Sequence, residues 1–391
     1  MEFPVHGSIA PGFDPVREAF EAGFRDDVEL GAGFCALVDG EVVVDLWGGF
    51  RDAGAKQPWA EDTLVNVYST TKGLAAAAIA TLVEEGALDY RAPVRDYWPE
   101  LRAAAGGLTV TGLLSHQAGL AGLVEPLRVA DLYDWRGMCR RLEAAEPLWP
   151  PGSAPGYHAV TWGFLAGELV RRVSGMTLGA LLDRRLARPL GADVHLGLPD
   201  AEHARVADLV GPNRARAVPG QAAGRDAKSE PGIAPGPWHR LAMENPLIRP
   251  FGDACSPAWR RAELAASNGH ATARGIATIY GALARGGSLN GVRVLEPDTV
   301  EALRTEVVGP VPDLVLGSPM RRGRGVNLNT AGELGPGSGA FGHTGTGGSL
   351  GMADPDRRIG AGFVMNQLRG GGGRPARRLL DALYRCLGET A

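Results

Sequence analysis

The feature that most constrains the fold of this sequence is an apolar, alanine-rich segment, Leu74 to Leu82, which follows Ser69 and Lys72. A polar and β-branched run precedes these two residues, so the sequence predicts a loop that passes into the start of a helix. At a helix start, residues three positions apart lie on the same face, about one turn from each other. Ser69 and Lys72 are therefore expected to be neighbours at one helix terminus.

Ser-x-x-Lys is the spacing of a serine acylation motif, and the pairing has a chemical reason. A serine hydroxyl is a poor nucleophile until a base takes its proton, and an amine kept neutral by burial can be that base. The helix N-terminus adds the positive end of its dipole and free backbone N–H groups beside the reacting oxygen. Alone, however, the motif is more often a serine that caps a helix and a lysine in solvent.

The composition of the 391 residues, with 45% hydrophobic and 21% charged residues, is that of a globular protein of one large domain or two. The net charge of −4 gives no electrostatic reason to expect nucleic acid or an anionic membrane as partner. No apolar run approaches the ~20 residues that cross a bilayer. Residues 1–13 lack the pattern of a signal peptide.

The four cysteines are scattered and include no C-x-x-C pair, so the sequence predicts free thiols rather than a metal or redox site. Scattered free thiols fit a reducing compartment. We therefore expect a cytoplasmic protein with no cofactor, no metal, no nucleic acid and no membrane as partner.

Strand signals lie toward both ends of the chain, and helix signals lie mostly between them. Two β-rich runs, 33–38 and 41–46, flank Asp39-Gly40, a pair that favours a tight hairpin because a primed turn needs positive φ. Residues 349–353 and 360–368 predict two further strands near the C-terminus. Helices are predicted over 13–24, 127–145, 161–172, 269–284 and 374–387, with a short helix capped by Thr109 or Thr111 that ends near Gly119 and a strand and helix within 292–304.

A rigid, turn-forming run from Pro150 to Gly156 presents Tyr157-His158-Ala159 ahead of a predicted helix. A tyrosine in this place is usually a core residue with a satisfied hydroxyl. The functional alternative is a phenol or phenolate that acts as general base beside Lys72, although the ordinary pKa of ~10 then requires a neighbouring cation. His116 also has a catalytic and a structural interpretation, and we favour the structural one because no metal-ligand spacing surrounds it.

Residues 342–348, with the sequence Gly-His-Thr-Gly-Thr-Gly-Gly, precede one of the predicted strands. A glycine-rich edge strand lets a ligand carbonyl approach the backbone, whereas a plain glycine-rich turn is the simpler interpretation. Residues 211–262 predict a loop of a length that is usually functional or disordered. Its aromatic residues Trp238 and Phe251 are candidates to line a substrate mouth.

Three stretches, in this order, resemble the motifs of the serine β-lactamase and penicillin-binding-protein superfamily: Ser69-x-x-Lys72, Tyr157-His158-Ala159 and His343-Thr344-Gly345. The resemblance is greatest to the class C β-lactamase-like esterases, the family VIII carboxylesterases, and it covers nearly the whole chain. Further matching residues lie in 113–120, at Pro151-Gly152 and in the run from Gly342 to Pro355.

The resemblance implies an α+β fold with an antiparallel sheet that is built from both chain ends, flanked by helices, and joined to an inserted, mostly helical domain. We place the sheet domain in residues 1–68 and 270–391, the helical domain in residues 69–269, and the active site between them. In this family the serine is the acylated nucleophile, and the Lys and Tyr share the proton transfers. Those roles fall on Ser69, Lys72 and Tyr157, with the backbone N–H groups of Ser69 and Thr346 as oxyanion hole and with His343, Gly345, Trp238 and Phe251 expected at the substrate.

Two departures from the β-lactamase pattern bear on the substrate. The Tyr motif ends in Ala159 where the family has Asn, and the third motif begins with His343 where the family has Lys. Those two family residues help to hold the amide and the carboxylate of a β-lactam, so their loss argues against efficient antibiotic hydrolysis. The sequence therefore predicts a serine carboxylesterase for small or short-chain esters.

Other functions on the same scaffold stay open at this stage, and so does the oligomeric state. An acyltransferase, or an amidase or peptidase that acts on D-amino-acid substrates, would use the same acyl-enzyme with a different acceptor or substrate. A non-catalytic binding protein is a further alternative, which the intact Ser-Lys-Tyr set disfavours.

Overall fold

The structure is a computed structural model, and it describes residues 3–26, 29–54, 56–211, 234–369 and 374–388. Its strands are β1 (Val5–Ile9), β2 (Gly31–Val38), β3 (Glu41–Gly49), β4 (Val65–Asn66), β5 (Val194–His195), β6 (His270–Ala271), β7 (Ser288–Leu289), β8 (Val292–Arg293), β9 (Val308–Pro312), β10 (Pro319–Arg322), β11 (Asn327–Leu328), β12 (Phe341–Thr344), β13 (Leu350–Asp354) and β14 (Ile359–Met365). Its helices are α1 (Asp14–Arg25), α2 (Thr70–Glu84), α3 (Val110–Leu114), α4 (Trp135–Ala144), α5 (Thr161–Ser174), α6 (Leu178–Leu182), α7 (Arg188–Leu190), α8 (His239–Glu244), α9 (Pro257–Arg261), α10 (Ala273–Ala284), α11 (Pro297–Arg304) and α12 (Arg374–Cys386).

In the described part of the chain, nine strands form one antiparallel sheet with the order β1-β3-β2-β14-β13-β12-β11-β10-β9. The two ends of the chain meet in this sheet where β2 pairs with β14. This confirms the predicted antiparallel sheet from both chain ends. Helix α10 packs on β14, β2 and β13, and α1 packs on α12 and β3. Every residue of β14 is buried, so both faces of the sheet centre are covered.

The N-terminal hairpin forms at the predicted dipeptide. Asp39 and Gly40 have φ angles of 50° and 89°, which are the positive values of a primed turn. The local sequence was sufficient here, because only a few residue types adopt positive φ without strain.

Helix α2 lies inside the molecule. All its residues from Thr70 to Leu82 are buried, as expected for a helix that is apolar on every side. It contacts β12 of the sheet as well as α6 and α11. The predicted nucleophile, Ser69, directly precedes this helix and is therefore held at the junction of the sheet and the helical part.

The prediction of one amphipathic helix over 127–145 is wrong for the first half of that range. The chain forms a 3₁₀ turn over Val129–Tyr133, and α4 begins only after Asp134. The carboxylate of Asp134 accepts a hydrogen bond from the N–H of Gly137 at 2.9 Å, so an N-cap starts the helix there.

Two other predicted helix boundaries also differ. The helix predicted from residue 269 starts at Ala273, because His270 and Ala271 form β6 and Thr272 caps the helix. The short helix expected to end near Gly119 ends at Leu114, although Thr109 caps it as predicted.

The predicted loop 211–262 is only partly irregular. Residues 212–233 lie outside the described residues, but residues 234–262 contain α8 and α9. Ser256 and Pro257 start α9 as N-cap and first helical residue, a local signal that the glycine- and proline-rich composition obscured.

The four cysteines are free, as predicted. Within the described ranges, no helix combines the length and the apolar character needed to cross a membrane. The cytoplasmic location and the division into two domains stay predictions.

Candidate active site

Ser69 stands at the capping position of α2, but its side chain makes no capping hydrogen bond. The residue before it, Tyr68, has a φ of 44°, a left-handed conformation that is uncommon for an aromatic residue. This sharp turn leads from β4 into the helix. The hydroxyl of Ser69 is thus left for other partners.

Lys72 is fully buried, so the alternative of a lysine in solvent is wrong. Its Nζ lies 3.3 Å from Ser69 Oγ and 2.9 Å from each of the carbonyl oxygens of Ala159 and Ala266. Burial lowers the pKa of Lys72 well below its ordinary value. The amine donates to these two carbonyl oxygens and to Ser69 Oγ, and burial favours its neutral form, in which the lone pair can accept the Ser69 proton.

Tyr157 adjoins the same hydroxyl. Its phenol lies close enough to Ser69 for that side chain to affect the pKa of the phenol, and Lys72 Nζ lies 4.7 Å from the centre of its ring. Burial raises the pKa of Tyr157 above its ordinary value, and the nearby Ser69 only partly opposes this rise. The resting side chain is therefore a neutral phenol rather than a phenolate.

The turn after β12 lies directly against the start of α2. A Cβ built on Gly345 would be 2.2 Å from the carbonyl oxygen of Val67, so this close approach requires glycine. The hydroxyl of Ser349 secures the contact, because it donates to Val67 O at 2.7 Å and lies 3.0 Å from Thr70 Oγ1. Sequence analysis did not single out Ser349.

Thr346 is the second residue of this turn. The N–H of Gly348 donates to the carbonyl oxygen of Gly345 at 3.0 Å, which closes the turn, and the N–H of Thr346 takes no part in that bond. Gly347, with a φ of 89°, completes the geometry. The N–H groups of Thr346 and Ser69 thus belong to two backbone segments that are in contact.

His343 lies on β12 and is buried. Its Nδ1 lies 2.6 Å from the carbonyl oxygen of Thr344, so Nδ1 carries the proton. Burial lowers the pKa of His343 to about 3. Its Nε2 has no hydrogen-bond partner among the described residues, so it does not bond to Tyr157. The position therefore offers no positive charge.

The two aromatic candidates from the predicted loop lie in different surroundings. Trp238 packs against an apolar cluster that includes Tyr157, whereas Phe251 is 53% exposed beside Gly211 and is not in that cluster. The structure places Trp238, but not Phe251, against the cluster that contains the predicted tyrosine. The buried members of the cluster are Ala121, Trp149, Tyr157, Ala159, Ala242 and Val315.

The sequence matches the family described as Beta-lactamase over residues 16–385. The chain belongs to the beta-lactamase family. It is similar to Esterase/beta-lactamase LipL of Mycobacterium tuberculosis, with 37% identity over 374 residues that cover 93% of this chain and 83% of that protein.

Solved structures of the beta-lactamase fold agree with this assignment. A crystal structure of a family VIII carboxylesterase has a TM-score of 0.89 and 43% sequence identity, and covers 98% of this chain and 100% of its own. A novel penicillin-binding protein homolog from Caulobacter crescentus has a TM-score of 0.86 and 41% identity, with the same coverage of 98% and 100%. The predicted fold class and the resemblance to family VIII carboxylesterases are thereby confirmed.

In this beta-lactamase-family site, two histidines make hydrogen bonds that fix the backbone around the tyrosine motif. His116 accepts the N–H of His158 at 3.0 Å on its Nδ1, and its ring packs on Tyr157 at 4.9 Å between centroids. His158 accepts the N–H of Leu120 at 3.1 Å and contacts the carbonyl oxygen of Gly156 at 2.6 Å. Burial lowers the pKa of both, to about 4 for His158, so both are neutral and structural.

Asp313 is a further residue at the site that sequence analysis missed. Its carboxylate accepts the backbone N–H of Tyr157 at 3.0 Å, across 156 positions of sequence. No local pattern marks such a contact. Among the described residues, no group of three or more His, Cys, Asp or Glu side chains is arranged to hold a metal ion.

Proposed function

We propose that this beta-lactamase-family protein is a serine carboxylesterase that hydrolyses small or short-chain esters through an acyl-enzyme on Ser69. The observation that carries the proposal is the contact of Ser69 Oγ with the buried amine of Lys72 at 3.3 Å, beside the phenol of Tyr157. The similarity to an esterase/beta-lactamase and to a family VIII carboxylesterase supports it.

Acylation begins when Ser69 Oγ attacks the ester carbonyl carbon and Lys72 Nζ accepts the hydroxyl proton. The carbonyl oxygen becomes an oxyanion between the backbone N–H groups of Ser69 and Thr346. As the C–O bond to the alcohol breaks, the phenol of Tyr157 donates a proton to the leaving oxygen, and the ammonium of Lys72 restores that proton.

Deacylation runs through the same groups in reverse. A water molecule attacks the acyl carbon and passes a proton to the phenol oxygen of Tyr157, while the proton of that phenol moves to the neutral amine of Lys72. The bond to Ser69 Oγ then breaks and the hydroxyl is re-formed, which releases the carboxylic acid and returns the neutral amine.

The surroundings favour an uncharged ester. A carboxylate on the substrate would find a neutral, buried imidazole at His343 rather than a cation. The apolar cluster around Tyr157, against which Trp238 packs, is suited to a hydrocarbon group. Both features support ester hydrolysis over efficient β-lactam hydrolysis.

The decisive experiment replaces the nucleophile. Ser69→Ala should abolish turnover of p-nitrophenyl acetate and butyrate, because no oxygen remains to form the acyl-enzyme. The wild-type protein should be labelled at Ser69 by a fluorophosphonate probe, and a chromogenic cephalosporin serves as the control substrate. Unchanged ester turnover in Ser69→Ala would contradict the proposal.

The same assay separates the alternatives. A protein that cannot be labelled at Ser69 would be a non-catalytic binding protein. An acyltransferase or a D-amino-acid amidase would keep the label, and an added alcohol or amine would then divert the acyl group from hydrolysis.

A further inference from the structure

The loop between β9 and β10, residues 313–318, reaches from the sheet to the segment that carries Tyr157. Its first residue, Asp313, is buried and accepts the backbone N–H of Tyr157 on Oδ1 at 3.0 Å. The following residue, Leu314, donates its N–H to the carbonyl oxygen of Pro155 at 2.9 Å. The backbone on both sides of Gly156 is therefore held by a distant loop.

The same oxygen of Asp313 also shapes its own loop. It accepts the N–H groups of Val315 and Leu316, both at 2.8 Å. One carboxylate oxygen thus fixes the loop and the tyrosine together. Loss of that oxygen would therefore act on Tyr157 directly, through the hydrogen bond to its backbone N–H.

Arg322, at the end of β10, fixes the other oxygen. Its Nη2 donates to Asp313 Oδ2 at 2.6 Å, and the two side chains are 1% and 0% exposed. Burial raises the pKa of Asp313, but the charge of Arg322 and the backbone N–H groups outweigh this effect and lower it overall. The carboxylate is therefore charged and its orientation is fixed.

The ion pair is poorly suited to a purely stabilising role. Nε and Nη1 of Arg322 are buried and have no hydrogen-bond partner among the described residues. Buried donors without partners destabilise a fold, and apolar residues often replace buried ion pairs without loss of stability. A destabilising pair whose carboxylate accepts the backbone N–H of Tyr157 points to a role at that residue.

The loop also holds the segment that carries Trp238. The N–H of Trp238 donates to the carbonyl oxygen of Leu314 at 3.2 Å, and the N–H of Gly236 donates to that of Val315 at 3.1 Å. Tyr157 and Trp238 are thus attached to one loop. Their separation depends on its conformation.

We propose that Asp313, fixed by Arg322, is a positioning residue that holds Tyr157 against Ser69. The proposal rests on the proposed function, in which Tyr157 donates a proton to the leaving alcohol. Proton transfer is sensitive to small displacements of the phenol, whereas binding of the ester depends mainly on apolar contacts. Loss of the oxygen at Asp313 should therefore lower kcat much more than it raises KM.

Two double variants isolate the effect of Asp313 Oδ1, because each removes both charges of the buried ion pair. Asp313→Asn with Arg322→Gln keeps an acceptor for the N–H of Tyr157 and should therefore lose much less of kcat than a variant without that acceptor. Asp313→Ala with Arg322→Gln removes the acceptor, and kcat for p-nitrophenyl butyrate should fall about 10- to 100-fold with little change in KM. Equal kcat in the two double variants would overturn the proposal.

If the alanine variant does not fold, Asp313→Ser with Arg322→Gln makes the same comparison. The serine hydroxyl still accepts from neighbouring loop N–H groups, but it is too short to replace the carboxylate oxygen at Tyr157. The expected loss of kcat is the same. A serine variant as active as the asparagine variant would count against the proposal.

Asp354→Asn is the matched control for a general loss of stability. Asp354 is equally buried, is paired with Arg357 at 3.3 Å and accepts the phenol O–H of Tyr384 at 2.6 Å, at the end of β13 away from Ser349. This variant should lower the thermal midpoint and leave kcat unchanged. A proportional loss of kcat would mean that stability alone explains the Asp313 variants.

The rate of Ser69 labelling by a fluorophosphonate keeps the two proposals distinguishable. If wild-type protein is labelled but hydrolyses no ester, the proposed function fails, while the labelling rates of the double variants still test the position of Tyr157. Slower labelling only where the acceptor is lost supports the role of Asp313, and equal rates contradict it.

Discussion

Lys72 Nζ donates to two carbonyl oxygens and to Ser69 Oγ, and burial favours the neutral amine whose lone pair can accept the Ser69 proton. The neutral form is therefore favoured by burial. A guanidinium at this position would have no lone pair and would stay protonated at any ordinary pH. A lysine can therefore act as a base at this position, whereas an arginine cannot.

We predict that Lys72→Met and Lys72→Arg both lower kcat for p-nitrophenyl butyrate by about 10²- to 10⁴-fold, the range typical of a general base. The physical reason is that neither side chain can accept the Ser69 proton. Steady-state kinetics with circular dichroism as a check on folding measure the effect. Lys56→Met, at an exposed lysine, is the control, and a fully active Lys72→Arg variant would refute the assignment.

At the scale of secondary-structure elements, the site depends on how β12 ends against the start of α2. Gly345 allows the backbones to touch, and Ser349 joins them through Val67. The N–H groups of Ser69 and Thr346, which we propose as oxyanion hole, therefore belong to two elements that meet at this contact.

Gly345→Ala tests this spacing. The added methyl group would lie 2.2 Å from the Val67 carbonyl oxygen, so the turn must move and carry the N–H of Thr346 with it. Loss of one such donor should lower kcat by about 10²- to 10³-fold. Kinetics of Gly345→Ala are compared with Gly106→Ala, a glycine around which a Cβ meets nothing within 4 Å, and equal activity of the two variants would contradict the prediction.

Across the whole molecule, several histidines are buried in their neutral form. Burial is the main cause that lowers their pKa, to about 3 for His270 and His343 and to about 4 for His158, from an ordinary value of 6.5. Because the pKa of each of these histidines is depressed in the folded protein, the unfolded chain binds protons near pH 6.5 that the folded chain does not bind. Stability is therefore complete above that pH and falls as the pH decreases below it.

His270→Gln tests this whole-molecule effect. The free energy of unfolding of the wild type should fall between pH 6.5 and pH 4, and each neutral histidine contributes about 1.4 kcal/mol per pH unit to that slope. The variant should therefore show a shallower slope in urea unfolding over this range. The exposed His6→Gln is the matched control, and an unchanged slope in His270→Gln would show that folding does not depress the pKa of this histidine.

The elements that the sequence predicted correctly are those whose signals are local. The Asp39-Gly40 hairpin, α2, α5 and the strands near the C-terminus follow from turn residues and from apolar periodicity. The boundaries that failed, at Asp134 and at β6, depend on a capping side chain and on a strand that needs partners far away in sequence. Neither is visible in the periodicity.

The sequence alone determined that Ser69 and Lys72 share one helix terminus, because their spacing fixes this whatever surrounds them. Only the tertiary structure decided the protonation of the site. The carbonyl groups on Lys72 come from residues 87 and 194 positions away, and the acceptor for Tyr157 comes from 156 positions away. Burial and contacts of that range depend on the packed chain as a whole, so no local pattern encodes them.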